Sequence, residues 1–147
     1  PRYATIVDEL LHSQHIYVIG RDTGLGAAQE VALKLKECCA LHAEAYSASE
    51  VLQGPLQLVT KPLTVLLLDT GLESTQQSLD RAEDRFRASG AKVFRISPLD
   101  VGAPISSPAA SAAILLYLVY PIVRQVALAL GLDPDTPHTL SKVTSTL

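Results

Sequence analysis

The sequence predicts an α/β domain, a three-layer α-β-α sandwich built on a mostly parallel sheet. Three observations carry this. Strand-like and helix-like segments alternate along the chain, which places helices on the faces of a parallel sheet. "LTVLLLD" (residues 63–69) is apolar almost throughout, as a strand covered on both faces must be. "ESTQQSLDRAEDRFRAS" (residues 73–89) has a helical period instead, with Leu79, Ala82 and Phe86 on one face.

The remaining elements follow in order. Residues 3–13 space Ile6, Leu10 and Leu11 as a short helix does. "HIYVIG" reads as a buried strand that ends in a glycine-containing turn, residues 20–26. A long helix is expected from about residue 25 to 42. "AEAYS" follows as a short strand, and Gly54-Pro55 breaks the chain beyond it. Gly90 ends the helix of residues 73–89, and "AKVFRIS" is the next strand. A Pro- and Ser-containing loop covers residues 98–108. The last helix is placed from Pro121, because proline favours a first turn, to Gly131. The domain is expected to span residues 1–132. The polar tail, residues 133–147, holds two prolines and reads as a lid or docking arm.

Bulk properties bound the function. The 147 residues are enough for one domain with one core, and 48% are hydrophobic, which argues against disorder. A net charge of −3 without a basic stripe argues against a nucleic-acid surface. The longest apolar run, residues 112–123, is interrupted by Pro121 and falls short of the roughly 20 residues of a bilayer span, so no membrane partner is expected. No signal-peptide pattern is visible. Cys38 and Cys39 are adjacent and cannot staple distant segments, which fits a reduced, intracellular protein. The chain starts at Pro1 and has no Met, so it reads as a piece of a longer polypeptide.

One helix is unusual. In "EVALKLKECCALH", Glu30, Lys34, Glu37 and Leu41 fall within about 60° of one another. They form a thin charged line between two apolar regions, where a surface helix normally has a broad polar face. Two readings stand. The line is either a solvated Glu30–Lys34 pair with Glu37 beside it, or a set of charges facing a shared pocket. In the second case a carboxylate can move a proton and the lysine can tune it.

Other candidates are weaker. "GRDTGLG" (residues 20–26) joins strand to helix, where backbone amides can meet an anion, but it matches neither a Walker A loop nor the dinucleotide fingerprint. Ser74 is expected to cap the helix that follows "ESTQQS". His12, His15, His42 and His138 lack metal-ligand spacing, so no metal and no cofactor are expected. Cys38 and Cys39 read as core fillers. No Gly-x-Ser-x-Gly elbow supports a hydrolase.

"GRDTGLGAAQEVALKLKECCALHAEAYSASEVLQGPLQLV" resembles the sugar isomerase (SIS) domain, whose fold is flavodoxin-like. More narrowly it is similar to the C-terminal copy in proteins with two, such as the isomerase half of glucosamine-6-phosphate synthase and the glucosamine-6-phosphate deaminases. The tail "GLDPDTPHTLSKVTSTL" resembles the end of those chains, with Asp-x-Asp-x-Pro and then Leu-x-Lys. The resemblance implies a cytoplasmic, dimeric protein acting on an amino-sugar phosphate, such as glucosamine 6-phosphate or fructose 6-phosphate. It implies that Glu37 shuttles a proton between sugar carbons, that Lys34 lies in the same site, and that Lys142 closes over the sugar. It implies substrate contacts from Gln53, Ser74 and Thr75, beside the loop reading that makes Gly20 a ligand position, and a first SIS domain on the same polypeptide. In one respect the sequence departs from the family: Leu52 and Gln53 precede Gly54-Pro55 where Lys-His or Arg-His is usual. A glutamine amide cannot shuttle a proton for ring opening. The rival expectation is a non-catalytic sugar-phosphate-binding or dimerisation module.

Overall fold

Side-chain alternation along the strands sets the layers. β1 (Ile16–Gly20) sends Ile16 and Val18 to one face and Tyr17 and Ile19 to the other. β3 (Thr64–Leu68) divides Leu66 and Leu68 from Val65 and Leu67 in the same way. β2 (Ala43–Ser47) and β4 (Lys92–Ile96) complete a four-stranded sheet in the order β2-β1-β3-β4, parallel throughout. The direction of winding reverses between β1 and β3. The structure, a computed structural model, describes residues 2–141.

One face of the sheet carries three helices, α1 (Arg2–His12), α2 (Thr23–Cys39) and α4 (Pro108–Ala129). Their core includes Ile6, Leu10, Val31, Leu35, Leu115 and Val126. The other face carries α3 (Glu73–Ala88) and the 3-10 helix Gly54–Thr60. Leu79, Ala82 and Phe86 pack there on Tyr17 and Leu67, with Leu56 and Val59 at the edge. This is the expected three-layer sandwich.

Local departures from the sequence reading have physical causes. α2 ends at Cys39 rather than His42, because Ala40 takes a left-handed conformation (φ 54°). The Ala40 and Leu41 amides then bond back to Lys36 and Leu35 and close the helix. Ser74 does not cap α3. Leu72 holds that position and contributes no side-chain bond.

The largest correction is the last helix. It starts at Pro108, not Pro121, and Pro121 lies inside it. Ser107 caps it by accepting a hydrogen bond from the Ala110 amide at 3.1 Å. Pro121 removes one backbone donor, but Pro121 and Tyr117, four residues earlier, are both exposed. Water can satisfy the freed Tyr117 carbonyl, so the helix continues through the proline. At 22 residues with a mean hydropathy of 1.8, α4 is long and apolar enough to cross a membrane, by length and composition only. This also corrects the span estimated from the sequence. In the structure one side of α4 packs on α1 and α2.

Candidate functional site

The charged line of α2 is held between α4 and the tail. Lys34 Nζ donates to Glu37 Oε2 at 2.8 Å and lies 3.7 Å from Glu30 Oε1. The closer partner is therefore Glu37, three residues on, and not the i, i+4 glutamate. Glu30 instead accepts a hydrogen bond from the Tyr120 hydroxyl of α4 at 2.9 Å. All three charged side chains are about two-thirds covered, at 32–33% exposure.

This geometry fixes the lysine's charge. The hydrogen bond to Glu37 holds the Lys34 ammonium above its ordinary value, against partial burial and with help from the charges of Glu30 and Glu37. The pair's contribution to folding is therefore complete at neutral pH. The lysine's share is lost as alkaline pH rises through the raised value. Tyr120 is likewise raised, by burial and by its bond to Glu30.

Two cavities flank the pair. One, of about 600 Å³, is lined by Lys34, Cys38, Tyr117, Tyr120, Arg124 and Asp135 among others. The second, of about 300 Å³, is lined by Glu37, Lys36, Asp133, His138 and Leu140 among others. Both contain tail residues, so the tail folds back beside α2. Asp133 accepts from the Asp135 amide and the Thr136 hydroxyl and holds the turn. The Cys38 thiol lies 3.9 Å from the Pro134 carbonyl, and burial pushes it up. Cys39 sits deeper and is pushed up to about 12 by burial, so both sulfurs stay protonated fillers.

Lys34 and Glu37 are together, but the other candidates lie elsewhere. Gln53 is exposed and opens the 3-10 helix on the opposite face of the sheet. Gly20, Ser74 and Thr75 lie at the carboxyl edge. Along α2 that edge is about 16 Å from Lys34 at 1.5 Å per residue. Ser74 is exposed there. Thr75 is buried and donates its hydroxyl to the Leu72 carbonyl at 2.7 Å. Gly20 is a close-packing position: a Cβ there would stand 2.1 Å from the Gly24 carbonyl oxygen. Lys142 lies outside the described residues. Among the described residues no group of three or more His, Cys, Asp or Glu could hold a metal ion.

The sequence reading missed Tyr120 and Arg124 as neighbours of Lys34. The signal was present in Ser107-Pro108, a cap followed by a first-turn proline. Starting the helix there puts Tyr117, Tyr120 and Arg124 on one side of it.

The comparisons agree with this architecture. The SIS domain family profile matches residues 9–117. The glutamine–fructose-6-phosphate aminotransferase (isomerizing) of Sulfurisphaera tokodaii is 34% identical over 145 residues, covering 93% of this chain and 24% of that protein. The chain thus spans about a quarter of the length of the curated relatives it matches. The C-terminal domain of the glucosamine-fructose-6-phosphate aminotransferase of Francisella tularensis superposes with a TM-score of 0.73 at 26% identity, over 91% of this chain and 41% of that one. The glucosamine-6-phosphate deaminase of Thermotoga maritima shares the fold, with a TM-score of 0.70 at 23% identity, over 97% of this chain and 46% of that one. The alternating sheet, the charged line of α2 and these matches lead to one conclusion: the chain belongs to the SIS domain family and corresponds to the C-terminal SIS copy of proteins that carry two.

Proposed function

We propose that this domain serves an amino-sugar-phosphate isomerase or deaminase, with Glu37 as the proton-transfer base. The observation that carries the reading is the 2.8 Å Lys34–Glu37 pair, placed between two cavities and beside the returning tail. Aldose–ketose interconversion removes a proton next to a carbonyl and returns it to the neighbouring carbon, and one carboxylate can do both. The Lys34 ammonium stabilises the enediolate oxygen electrostatically as charge develops there. Substrate would release Glu37 from Lys34, turning an ion pair into a base beside an electrophile. The tail, with Lys142 near its end, closes the site. A deaminase adds loss of ammonia from C2.

In this reading the phosphate is held mainly by a first SIS domain of the same polypeptide, in a cytoplasmic protein. At the carboxyl edge Ser74 is the side chain offered to a ligand. Thr75 and Gly20, engaged by Leu72 and Gly24, shape that edge. Relatives named for fructose 6-phosphate amination and glucosamine 6-phosphate deamination support the substrate class. The test is product formation by the protein with both SIS domains, from fructose 6-phosphate with and without ammonia. Absence of interconversion in both arms contradicts the catalytic reading.

A second reading, a sugar-phosphate-binding module without catalysis, is favoured by Gln53. It lacks a titratable group and lies on the face opposite Glu37. Tight sugar-phosphate binding without interconversion would select this reading.

A further inference from the structure

Helix geometry offers Lys34 two carboxylates, and it takes the less favoured one. Glu30 stands four residues before it and Glu37 three residues after it. Within a helix, a glutamate four residues N-terminal to a lysine is the well-oriented partner. Here Lys34 Nζ is 2.8 Å from Glu37 Oε2 and 3.7 Å from Glu30 Oε1. The two glutamates are equally covered, each with 32% of its side chain exposed, so burial does not decide between them.

Tyr120 is what distinguishes them. Its hydroxyl, brought across by the packing of α4 on α2, donates to Glu30 at 2.9 Å. It does so at Oε1, the same oxygen that faces Lys34. Among the described residues, the Glu37 carboxylate accepts a side-chain hydrogen bond from Lys34 alone. The tyrosine therefore competes with the lysine for Glu30 and leaves Glu37 open to it.

The choice bears on the chemistry. Beside Glu37, the ammonium stands next to the base, where a substrate oxygen gains charge during proton transfer. Drawn over to Glu30, it turns away from that oxygen. The shift is small, but a misplacement of about 1 Å can cost about 10²-fold in rate. We propose that Tyr120 is a positioning residue: by engaging Glu30, it assigns the Lys34 ammonium to Glu37. Its effect on rate rests on the reading of Glu37 as the proton-transfer base. Its effect on pairing does not depend on any sugar.

Tyr120→Phe removes the hydroxyl and keeps the ring that lines the cavity beside Lys34. The side is open, with Tyr120 41% exposed, so the core is left intact. Crystal structures of the 147-residue chain without sugar phosphate, parent and variant, test the pairing. Lys34 Nζ is expected nearer Glu37 in the parent and nearer Glu30 in the variant. A lysine that keeps the same partner in both overturns the proposal. In the protein with both SIS domains, interconversion of fructose 6-phosphate tests the consequence. Tyr120→Phe should lower kcat at least about tenfold and change KM less than about threefold. In a Glu30→Gln background no second carboxylate competes, and the same change should alter kcat less than about twofold. A merely structural tyrosine would lower kcat alike in both backgrounds, and that result also overturns the proposal. A parent without interconversion ends the catalytic reading instead, and the crystal pairing then decides the role of Tyr120.

Discussion

Replacing Arg95 tests how the α3 face is held together. From β4, Arg95 donates to Asp69 at 2.8 Å, Glu83 at 2.7 Å, Asp80 at 2.6 Å and Gln76 at 2.9 Å. Asp69 is the most covered of these acids, with 9% of its side chain exposed, and Asp80 is open at 61%. Arg95→Met keeps the aliphatic stem and removes the charge. Asp69 retains bonds from the Gly71 amide and Gln76, and Glu83 retains Arg87, so neither is stranded. Hydrogen bonds to charged groups contribute about 1.5–3 kcal/mol, and the open Asp80 pair at most about 1. With partial solvent screening, a loss of about 2–4 kcal/mol at pH 7 is expected. The loss should also depend on pH. Burial pushes Glu83 up, but bonds from Arg95 and Arg87 outweigh it and hold the carboxyl below its ordinary value. Its stabilisation is complete above the unfolded carboxylate value and fades as pH falls through the folded one. The gap between parent and variant should therefore narrow below about pH 4. Urea unfolding followed by circular dichroism at pH 7 and pH 3.5 measures both effects; the chain has no Trp to report by fluorescence. A loss under about 1 kcal/mol, or a gap that stays constant with pH, would refute the reasoning.

Three further outcomes are expected. Gly20→Ala forces a Cβ against the Gly24 backbone and should cost about 3 kcal/mol or more in unfolding experiments; a neutral result would mean the turn relaxes freely. Deleting residues 140–147 should move Tm by less than about 3 °C while weakening sugar-phosphate binding in the protein with both SIS domains; a large fall in Tm would make the tail packed structure rather than a lid. In that same protein, Gln53→His should speed turnover of a ring-forming sugar phosphate by up to about 10²-fold and leave a non-cyclising analogue unchanged. No change with either substrate would remove position 53 from ring opening.

The layers were legible because strand side chains alternate and helix side chains repeat near 3.6. Residues 63–69 and 73–89 declare themselves on those grounds alone. The charged line of α2 was legible as a pattern, but its pairing was not. Which glutamate Lys34 takes depends on Tyr120, ninety residues from Glu30, already holding that carboxylate. The start of α4 was misplaced because Pro121 carries two meanings, a favoured first turn or a tolerated interior break. Solvent access at Tyr117 decides between them, and that is a tertiary fact. Gly20 was taken for a ligand position because a glycine turn after a strand also suits an anion. The approach of the Gly24 backbone shows a packing role for the same glycine.

Solvent-deuterium exchange is the measurement closest to the central claim. The protein with both SIS domains, incubated with fructose 6-phosphate in heavy water, should exchange the hydrogen on the reacting carbon. Glu37→Gln removes the base but keeps size and hydrogen-bonding capacity, and Glu37 is partly covered rather than core. The variant should fold and bind sugar phosphate with exchange reduced at least about 10³-fold, within the range general base catalysis supplies. Exchange at the parental rate in Glu37→Gln, with binding intact, would contradict the assignment of Glu37 as the proton-transfer base.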